Sequence, residues 1–380
     1  MLRNRAAIVG FGETKISRDQ ATYDQNVGEV LTLAAKGALD DAGLTKKDIS
    51  GVAIAGSRSP HAEIYSAEIV EDLGINPNWM IRSDHGGASS LVLLMQGVLA
   101  IDAGIVDTVL VLGGRSVRWD TRDTSYVRDF EIPFGMMGAN SHFALIMRRY
   151  MHEYGVRPEH TGKISVTQRS HASLNPNAYL RKPITLDDYM DSRLICDPIR
   201  LLDCCISVNG AAAFIITTTE KAKKLVDLPV FIKGFGFCSD NSEGGMTDLA
   251  MSRAAQDAFA MADMRDDELS FLQLYDDYTI AVLMQLESLG LCKKADLAEF
   301  VESTDLTFRG NLPLNTGGGM LSAGQISTGF IHLLEAVKQL RNEGGGRQVS
   351  GARSGIVTGL GGISHLANII NHAAVIVGVE

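Results

Sequence analysis

Cysteine, proline and aromatic residues are all sparse in this chain of 380 residues, which has five cysteines, nine prolines and 6% aromatic residues. No two cysteines have the C-x-x-C spacing of a metal or redox motif, so the sequence predicts neither a metal site nor a disulfide framework. A reducing cytoplasm is the simplest location for such a chain. The five residues are Cys196, Cys204, Cys205, Cys238 and Cys292.

Positive charge and long apolar runs are lacking as well. Lysine and arginine total 35 against 45 aspartates and glutamates, which gives a formal net charge of -10. This charge argues against general nucleic-acid binding, because phosphate contacts need a basic face, but it is compatible with a local pocket for a small anion. No run approaches the roughly 20 apolar residues of a membrane span, and the apolar run at 6–12 is too short for a signal peptide.

Glycine and aliphatic residues are abundant instead. The chain contains 39 glycines and is 45% hydrophobic. Short apolar runs that indicate buried strands alternate with amphipathic patterns that are typical of helices. Strands are predicted at 8–10, 52–55 and 108–112, and helices at 29–42 and 91–103. This alternation predicts an α/β fold.

An internal repeat runs through the sequence with an offset of 220 residues. An Ala-rich helical pattern at 34–42 precedes an apolar strand pattern at 49–54, and the same succession returns at 254–262 and 269–274. Any α/β protein alternates helices and strands, but here the register and the small residues both match, which favours a duplication. The small residues recur at helical spacing, so that each helix can lie close to its neighbour: Ala34, Ala38, Ala42, Ala254, Ala258 and Ala262.

The loop, helix and strand that follow in the first copy of the repeat also match those in the second copy. A Gly/Ser-rich loop at 86–90 precedes a helix and the strand at 108–112, and a Gly-rich loop at 317–324 precedes a helix at 330–341 and a strand at 355–358. We expect the two copies to pack face to face, with their equivalent loops meeting at the junction. The predicted domains are 1–223 and 224–380, and residues 115–198 in the first are predicted to be an insertion that covers the junction.

Several longer motifs are specific enough to indicate a family. They lie at 148–152 (Arg-Arg-Tyr-Met-His), 170–172 (Ser-His-Ala), 175–179 (Asn-Pro-Asn-Ala-Tyr), 182–185 (Lys-Pro-Ile-Thr), 201–205 (Leu-Leu-Asp-Cys-Cys) and 274–276 (Leu-Tyr-Asp). Together with the first strand and the Asn-Thr-Gly-Gly-Gly loop at 315–319, they resemble the thiolase superfamily. Within it, the chain is most similar to the sterol-carrier-type branch and its steroid side-chain aldolases.

The resemblance implies a fold, a substrate and two partners. The fold is the thiolase fold, in which two duplicated α/β units form a five-layered αβαβα arrangement. The substrate is an acyl-CoA, so that coenzyme A enters as part of the substrate and no covalently bound cofactor is expected. The implied partners are a second copy of the chain and a small zinc-ribbon/OB-fold (DUF35-type) subunit. We expect the strand at 108–112 to lie at a sheet edge and to favour this homodimer.

The resemblance also identifies which catalytic residues of thiolases this chain lacks. Thiolases carry a cysteine nucleophile where the helix after the third strand begins, but residues 81–90 contain no cysteine, so the acyl-enzyme route is closed. The other thiolase positions differ as well. Tyr275 matches the first catalytic His, Gln325 matches the second, and Leu360-Gly361-Gly362 replaces the C-terminal Cys-Gly-Gly.

Tyr275 suggests a different reaction, since thiolase-fold aldolases have a Tyr in the same Leu-Tyr-Asp context. A phenol can exchange a proton with a β-oxygen or donate a hydrogen bond to it. Gln325 and His85 are predicted to hold the thioester oxygen, and Asp276 to orient its neighbours. The aldolases carry a second Tyr where Gln325 stands here. Tyr275 can also be explained as a core residue at a strand end, and His85 as a loop residue bonded to backbone.

The preferred hypothesis is retro-aldol cleavage of a β-hydroxyacyl-CoA. One alternative is a thiolase-type condensing enzyme or acyltransferase with a nucleophile from elsewhere, and another is a non-catalytic acyl-CoA-binding subunit. Cys204 and Cys205 are expected to be core thiols, and Gly10-Phe11-Gly12 lacks the third glycine of a dinucleotide loop. The residues predicted to bind substrate lie in the glycine loops: Gly86, Gly87, Asn315, Gly317, Gly318, Gly319, Gly361 and Gly362.

Overall fold

The computed structural model describes residues 2–19, 27–55, 65–116, 131–136, 138–240, 245–363 and 368–380. The predicted covering insertion at 115–198 therefore lies partly outside the described residues. The first half of the chain forms five strands and four helices: β1 (Ala6–Glu13), α1 (Val27–Ala42), β2 (Gly51–Ala55), α2 (Tyr65–Leu73), β3 (Trp79–Ser83), α3 (Ser89–Asp102), β4 (Thr108–Arg115), then, after the insertion, β7 (Gly210–Thr218) and α7 (Thr219–Leu225).

The insertion and the second half contribute the remaining elements. The described part of the insertion contains α4 (Ala139–Tyr154), α5 (Pro158–Ser173) and α6 (Leu186–Met190), followed by the short strands β5 (Leu194–Cys196) and β6 (Ile199–Arg200). The second half consists of β8 (Val230–Ser239), α8 (Met251–Ala262), β9 (Phe271–Gln273), α9 (Thr279–Ser288), α10 (Leu297–Ser303), a π-helical turn (Gly319–Ala323), α11 (Phe330–Leu340), β10 (Ser354–Ile363) and β11 (Ile369–Gly378). The elements expected from the sequence coincide with these to within a few residues.

The strand order repeats between the two halves of the sheet. Nine strands form the order β3-β2-β4-β7-β1-β8-β11-β10-β9. In the first half β2 runs parallel to β4, and β7 pairs antiparallel with both β4 and β1. In the second half β9 runs parallel to β10, and β11 pairs antiparallel with both β10 and β8. The halves therefore have the same connectivity, as a duplicated unit requires.

Close contact between one helix and one strand recurs in both halves. A Cβ atom built at Gly12 of β1 would lie 2.1 Å from the carbonyl oxygen of Ala34, and one built at Gly236 of β8 would lie 2.1 Å from that of Ala254. Both alanines are fully buried. Because only glycine opposite alanine allows so short a separation, the small residues at helical spacing determine how α1 and α8 pack.

The two half-sheets separate three hydrophobic cores. α1 and α2 pack on the outer face of the first half-sheet, α3 and α11 lie between the two half-sheets, and α8 and α9 contribute to the core on the far side. This is the layered arrangement αβαβα. The insertion adds α4 and α5 to the third core, next to α9.

The sheet edge is not where the sequence predicted it, and that expectation was wrong. The strand at 108–112 is β4, which lies between β2 and β7 inside the sheet. β7 follows the insertion in the chain and pairs along the whole of β4. The edge strand of this half is β3, which pairs with β2 only among the described residues.

The glycine–alanine contact predicts a specific stability defect. Gly236→Ala puts a methyl group against the backbone of α8, and such overpacking costs about 1–3 kcal/mol of folding free energy. The matched control is Gly346→Ala, because a Cβ there would have its nearest neighbour at 3.8 Å. Denaturant unfolding should show a lower free energy of unfolding for Gly236→Ala and little change for Gly346→Ala. Equal stability of the two variants would contradict this account of the packing.

The exposed edge of β3 supports a revised dimer prediction. The N–H of Asn78 donates to Ser50 in the β2 region, and because N–H groups alternate along a strand, that of Ile81 points away from β2. An unpaired edge invites pairing with a second copy. Light scattering should give twice the 40.9 kDa of one chain. Ile81→Pro, which removes an outward N–H, should give monomers, whereas Ile81→Val should not; a monomeric parent protein would reject the prediction.

Candidate active site

Tyr275 lies two residues after the end of β9. Hydrogen bonds hold both its backbone N–H and its backbone carbonyl. Its N–H donates to Oγ1 of Thr358 on β10 at 3.1 Å, and its carbonyl accepts from Nε2 of Gln285 on α9 at 2.7 Å. One residue earlier, the side chain of Asn315 pairs with both backbone polar groups of Leu274, at 2.7 and 2.9 Å. These buried bonds fix the strand end and so the direction of the Tyr275 side chain.

The ring of Tyr275 lies against the loop between β3 and α3. A Cβ atom built at Gly87 would lie 2.1 Å from Cζ of Tyr275 and equally close to the carbonyl oxygen of Leu360. This is the loop in which the resemblance places the thiolase nucleophile. The phenol therefore occupies the space that a side chain at position 87 would need.

Gln325 lies close enough to the Tyr275 phenol for its side chain to lower the pKa of that phenol, against the larger effect of burial. Its Oε1 accepts from Arg115 at 3.4 Å and from the hydroxyl of Ser207 at 3.3 Å, and its backbone N–H donates to Ile206 at 2.7 Å. The structure thus brings together Tyr275 and Gln325, two of the predicted catalytic residues.

Asp276 follows Tyr275 in the chain and is fully buried. Its carboxylate accepts from the backbone N–H groups of Met320 and Leu321, at 2.8 and 3.1 Å, and contacts Nε2 of His332 at 2.7 Å. It therefore connects the end of β9 to the π-helical turn and to α11. These contacts suit a residue that orients its surroundings.

His85 faces away from this cluster. Its Nδ1 lies 2.8 Å from the hydroxyl of Ser83, its backbone N–H donates to Oγ of Ser89 at 2.8 Å, and its ring packs edge-on against Phe237 with centroids 5.2 Å apart. The bonds of His85 thus run toward β3, α3 and β8 rather than toward the phenol of Tyr275. The structure does not bring its side chain to the oxygen of Tyr275.

The glycines predicted to bind substrate are positions of close packing. Cβ atoms at Gly86 and Gly361 would lie 2.8 and 1.7 Å from backbone atoms of the facing loop, and one at Gly319 would lie 2.0 Å from the carboxylate of Asp276. Gly317 and Gly318 pack similarly against Glu335 and Ala172, and Gly362 has φ of +73°. Asn315 is fully buried and bonded to Leu274. These contacts explain the residue types by packing alone, and substrate contact through the loop backbones stays a prediction.

Sequence reasoning missed three polar residues around Tyr275. Asp277 and Cys205 are both close enough to shift its pKa, and Arg115 bonds to Gln325. Burial raises the pKa of the Tyr275 phenol well above its usual value, and Asp277 adds to the shift. Burial also raises the pKa of Asp277 to about 8, with a contribution from Asp276.

Burial raises the pKa of four cysteines, namely Cys204, Cys205, Cys238 and Cys292. All five cysteines are free thiols. Burial raises the pKa of Cys204 to about 12 and that of Cys292 to about 11, and it raises the pKa of Cys205 well above the usual value. A thiol rather than a thiolate at neutral pH is a poor acyl acceptor. The described residues also contain no group of three or more metal-ligating side chains and no helix long and apolar enough to cross a membrane.

Comparisons with known proteins agree with this arrangement. Residues 239–372 match the family model described as thiolase C-terminal domain-like. The "steroid side-chain-cleaving aldolase" of Thermomonospora curvata is 30% identical over 365 residues, which are 90% of this chain and 91% of the relative. The "17-hydroxy-3-oxo-4-pregnene-20-carboxyl-CoA lyase" of Mycobacterium tuberculosis is 31% identical over 370 residues, which are 90% of this chain and 92% of the relative.

A solved structure extends the agreement to three dimensions. The structure described as "Ltp2-ChsH2(DUF35) aldolase" has a TM-score of 0.88 and 29% sequence identity, and it covers 100% of this chain and 99% of its own. Two half-sheets of one strand order, packed on two shared central helices, define the thiolase fold. The chain belongs to the thiolase superfamily, in its sterol-carrier-type branch, alongside the steroid side-chain aldolases.

Proposed function

We propose that this chain is a carbon–carbon lyase that cleaves a β-hydroxyacyl-CoA by retro-aldol chemistry. The observation that carries the proposal is the phenol of Tyr275, which fills the space beside Gly87 in the loop that lacks a nucleophile. Retro-aldol cleavage needs proton transfer and donors for an enolate, and it needs no covalent carrier. The relatives with aldolase and lyase names support the same reaction class.

The proposed roles follow the contacts of each residue. Tyr275 handles the proton of the β-oxygen, and the side chain of Gln325, which is oriented by Arg115 and Ser207, lies beside the phenol and helps to hold the thioester oxygen. Asp276 positions the π-helical turn and α11 around the site. Backbone N–H groups of the glycine loops hold the thioester oxygen. We keep His85 in that group, although its ring faces Phe237.

The substrate class is a steroid CoA ester with a hydroxyl on the β-carbon. The Mycobacterium tuberculosis relative is named for a CoA ester with a hydroxyl at C17 and the carboxyl at C20. These carbons are adjacent in the steroid skeleton, so the named compound is a β-hydroxyacyl-CoA. Cleavage between them gives a ketone and a shorter acyl-CoA. We propose a substrate of this kind for a cytoplasmic enzyme of steroid side-chain degradation.

Tyr275→Phe tests the reaction and the role of the phenol together. The variant removes one hydroxyl and keeps the ring against Gly87, so the thermal stability and CoA-ester affinity should stay close to the parent values. Loss of a proton-transfer group lowers the rate by a factor of about 10²–10⁴. We therefore expect kcat to fall by a factor in this range. Tyr179→Phe is the matched control, because its side chain is 39% exposed. Turnover of Tyr275→Phe above about a third of the parent rate, measured by release of free ketone, would remove the phenol from the mechanism.

A condensing or acyl-transferring enzyme is the rival function. It needs an acyl group carried on the protein, and the raised pKa values of Cys204 and Cys205 caused by burial argue against one. Mass spectrometry after incubation with an acyl-CoA distinguishes acyl transfer from retro-aldol cleavage. A stable adduct on any cysteine would favour the rival function over cleavage.

We also propose a small zinc-ribbon/OB-fold subunit as the partner of a homodimeric core. The solved relative carries a DUF35 protein in its name. We expect the chain expressed alone to have poor solubility or at most a few per cent of the activity of the co-expressed complex, because a lid ordered by a partner is needed to exclude water. Assay of both preparations at equal chain concentration checks this expectation. Full activity of the isolated chain would contradict it.

A further inference from the structure

Two arginines are buried in the part of the chain that the structure describes, and they differ in their partners. Arg347 is 3% exposed, and its guanidinium contacts the carboxylate of Glu335 at 2.9 Å. Arg169 on α5 is 7% exposed, and no carboxylate among the described residues lies within ion-pair distance of it. A guanidinium stays charged at physiological pH, and a buried charge needs a counter-charge. Arg169 therefore has a positive charge that a bound anion can balance.

Neutral groups position the guanidinium of Arg169. Its Nε donates to Oγ of Ser322 in the π-helical turn at 2.9 Å, and its Nη1 donates to the backbone carbonyl of Lys182 at 3.4 Å. Its Nη2 has no hydrogen-bond partner among the described residues. Burial lowers the pKa of Arg169, and no acidic neighbour in the described ranges opposes that shift. The two bonds orient the planar group and leave N–H donors on Nη1 and Nη2 for a ligand.

Two more cationic residues lie beside this guanidinium. Lys182 supplies the carbonyl that Arg169 bonds. Arg181 donates from Nη2 at 3.4 Å to the carbonyl of Ser173, which lies one helical turn after Arg169 on α5. Both Arg181 and Lys182 are exposed, and the carboxylate of Asp188, which acts on Lys182, is already used in capping α6. The three cations form a basic cluster, Arg169, Arg181 and Lys182, on a chain with a formal net charge of -10.

The basic cluster is attached to the turn that also supports the candidate active site. The backbone N–H groups of Tyr179 and Leu180 donate to carbonyls of the turn Gly319–Ala323 at 3.0 and 2.9 Å. Asp276 accepts from two N–H groups of the same turn, and Gln325 follows the turn by two residues. The basic cluster and the candidate active site therefore share one structural element, and one ligand with an anionic end can contact both.

We propose that the basic cluster binds a phosphate group of the CoA ester and that Arg169 makes the central contact. This inference rests on the proposed function, in which the substrate is an acyl-CoA. CoA carries a diphosphate and a 3′-phosphate beyond its pantetheine arm, and a planar guanidinium can bind phosphate oxygens in a bidentate manner. Ser322 positions the guanidinium, and Arg181 and Lys182 attract the anion from the surface. The cluster thus supplies locally the attraction that the net charge of the chain does not.

The test compares four variants of the full chain. Arg169→Met removes the guanidinium and keeps a long side chain, Arg169→Lys keeps the charge without the planar group, and Ser322→Ala removes the hydroxyl that positions Nε. Lys36→Met is the matched control, because it removes one positive charge from the exposed side of α1. Calorimetry gives the dissociation constants of CoA, dephospho-CoA and pantetheine, and the melting temperature of each unliganded variant reports its folding.

Arg169→Met should weaken CoA binding by about 10–100-fold, because charged hydrogen bonds to a phosphate are lost. Arg169→Lys and Ser322→Ala should show smaller losses, and Lys36→Met should change the dissociation constant by less than about fivefold. Pantetheine has no phosphate, so its affinity should be the same in all variants. A loss shared by CoA and dephospho-CoA assigns the contact to the diphosphate, whereas a loss confined to CoA assigns it to the 3′-phosphate.

Each contrary outcome identifies which idea fails. A folded Arg169→Met variant with the parent affinity for CoA, or one that loses pantetheine and CoA binding equally, overturns the phosphate site and leaves the proposed function intact. A parent protein that needs Arg169 to bind CoA but does not cleave the ester overturns the proposed function and keeps the site. If Arg169→Met does not fold, a crystal structure of the parent with CoA decides: a phosphate oxygen within about 4 Å of the guanidinium supports the proposal, and a greater distance for every phosphate overturns it.

Discussion

Contact between two backbones at the junction of the half-sheets constrains the rest of the site. A Cβ atom at Gly361 would lie 1.7 Å from the carbonyl oxygen of His85, and one at Gly86 would lie 2.8 Å from Gly361. Only glycine fits such a separation. Because no side chain can project from Gly86 or Gly361 into the junction, other reactive groups come from the segments beside these loops. Tyr275 after β9 and Gln325 after the π-helical turn are in those positions.

A buried carboxylate keeps the strand ends in register with the loops. Asp276 joins three elements, namely the end of β9, the turn Gly319–Ala323 and α11, through bonds to Met320, Leu321 and His332. Breaking a buried charged network is costly, since the remaining groups lose their partners. The direction of Tyr275 depends on this anchoring as much as on its own backbone bonds. Consequently, Asp276 positions the segments around the site, while the preceding Tyr275 supplies its ring to it.

The repeated architecture could be predicted from the sequence because its cause is local. Ala34 and Ala254 recur with their neighbours at helical spacing, and each meets a glycine on its own strand. The sheet edge could not be predicted in this way. β7 reaches β4 only after an insertion of roughly a hundred residues, and pairing between segments so distant in sequence leaves no local pattern. The resemblance supplied the family, but it did not indicate which strand would be buried between two others.

The candidate site was predicted in part, for a comparable reason. Tyr275, Gln325 and Asp276 were identified from motif positions, and their contacts are consistent with the roles given to them. The glycines were also noticed, but a glycine in a sequence does not reveal whether a ligand or another loop comes close to it. Two adjacent aspartates follow Tyr275, and the sequence does not indicate which of them is bonded to the turn and to His332. The structure assigns those bonds to Asp276.

In the loop where the resemblance places the thiolase nucleophile, the phenol of Tyr275 leaves no room for a side chain at position 87. A Cβ atom at Gly87 would lie 2.1 Å from Cζ of Tyr275, so a side chain at that position and this ring cannot occupy the junction together. A site of this shape holds either a covalent carrier or a group that moves protons. The thiol of Cys205 does not restore the first option, because burial raises its pKa well above the usual value. With the ring in place, the thioester carbonyl has no thiolate to attack it, and the chemistry open to the bound acyl-CoA is proton transfer at the β-oxygen.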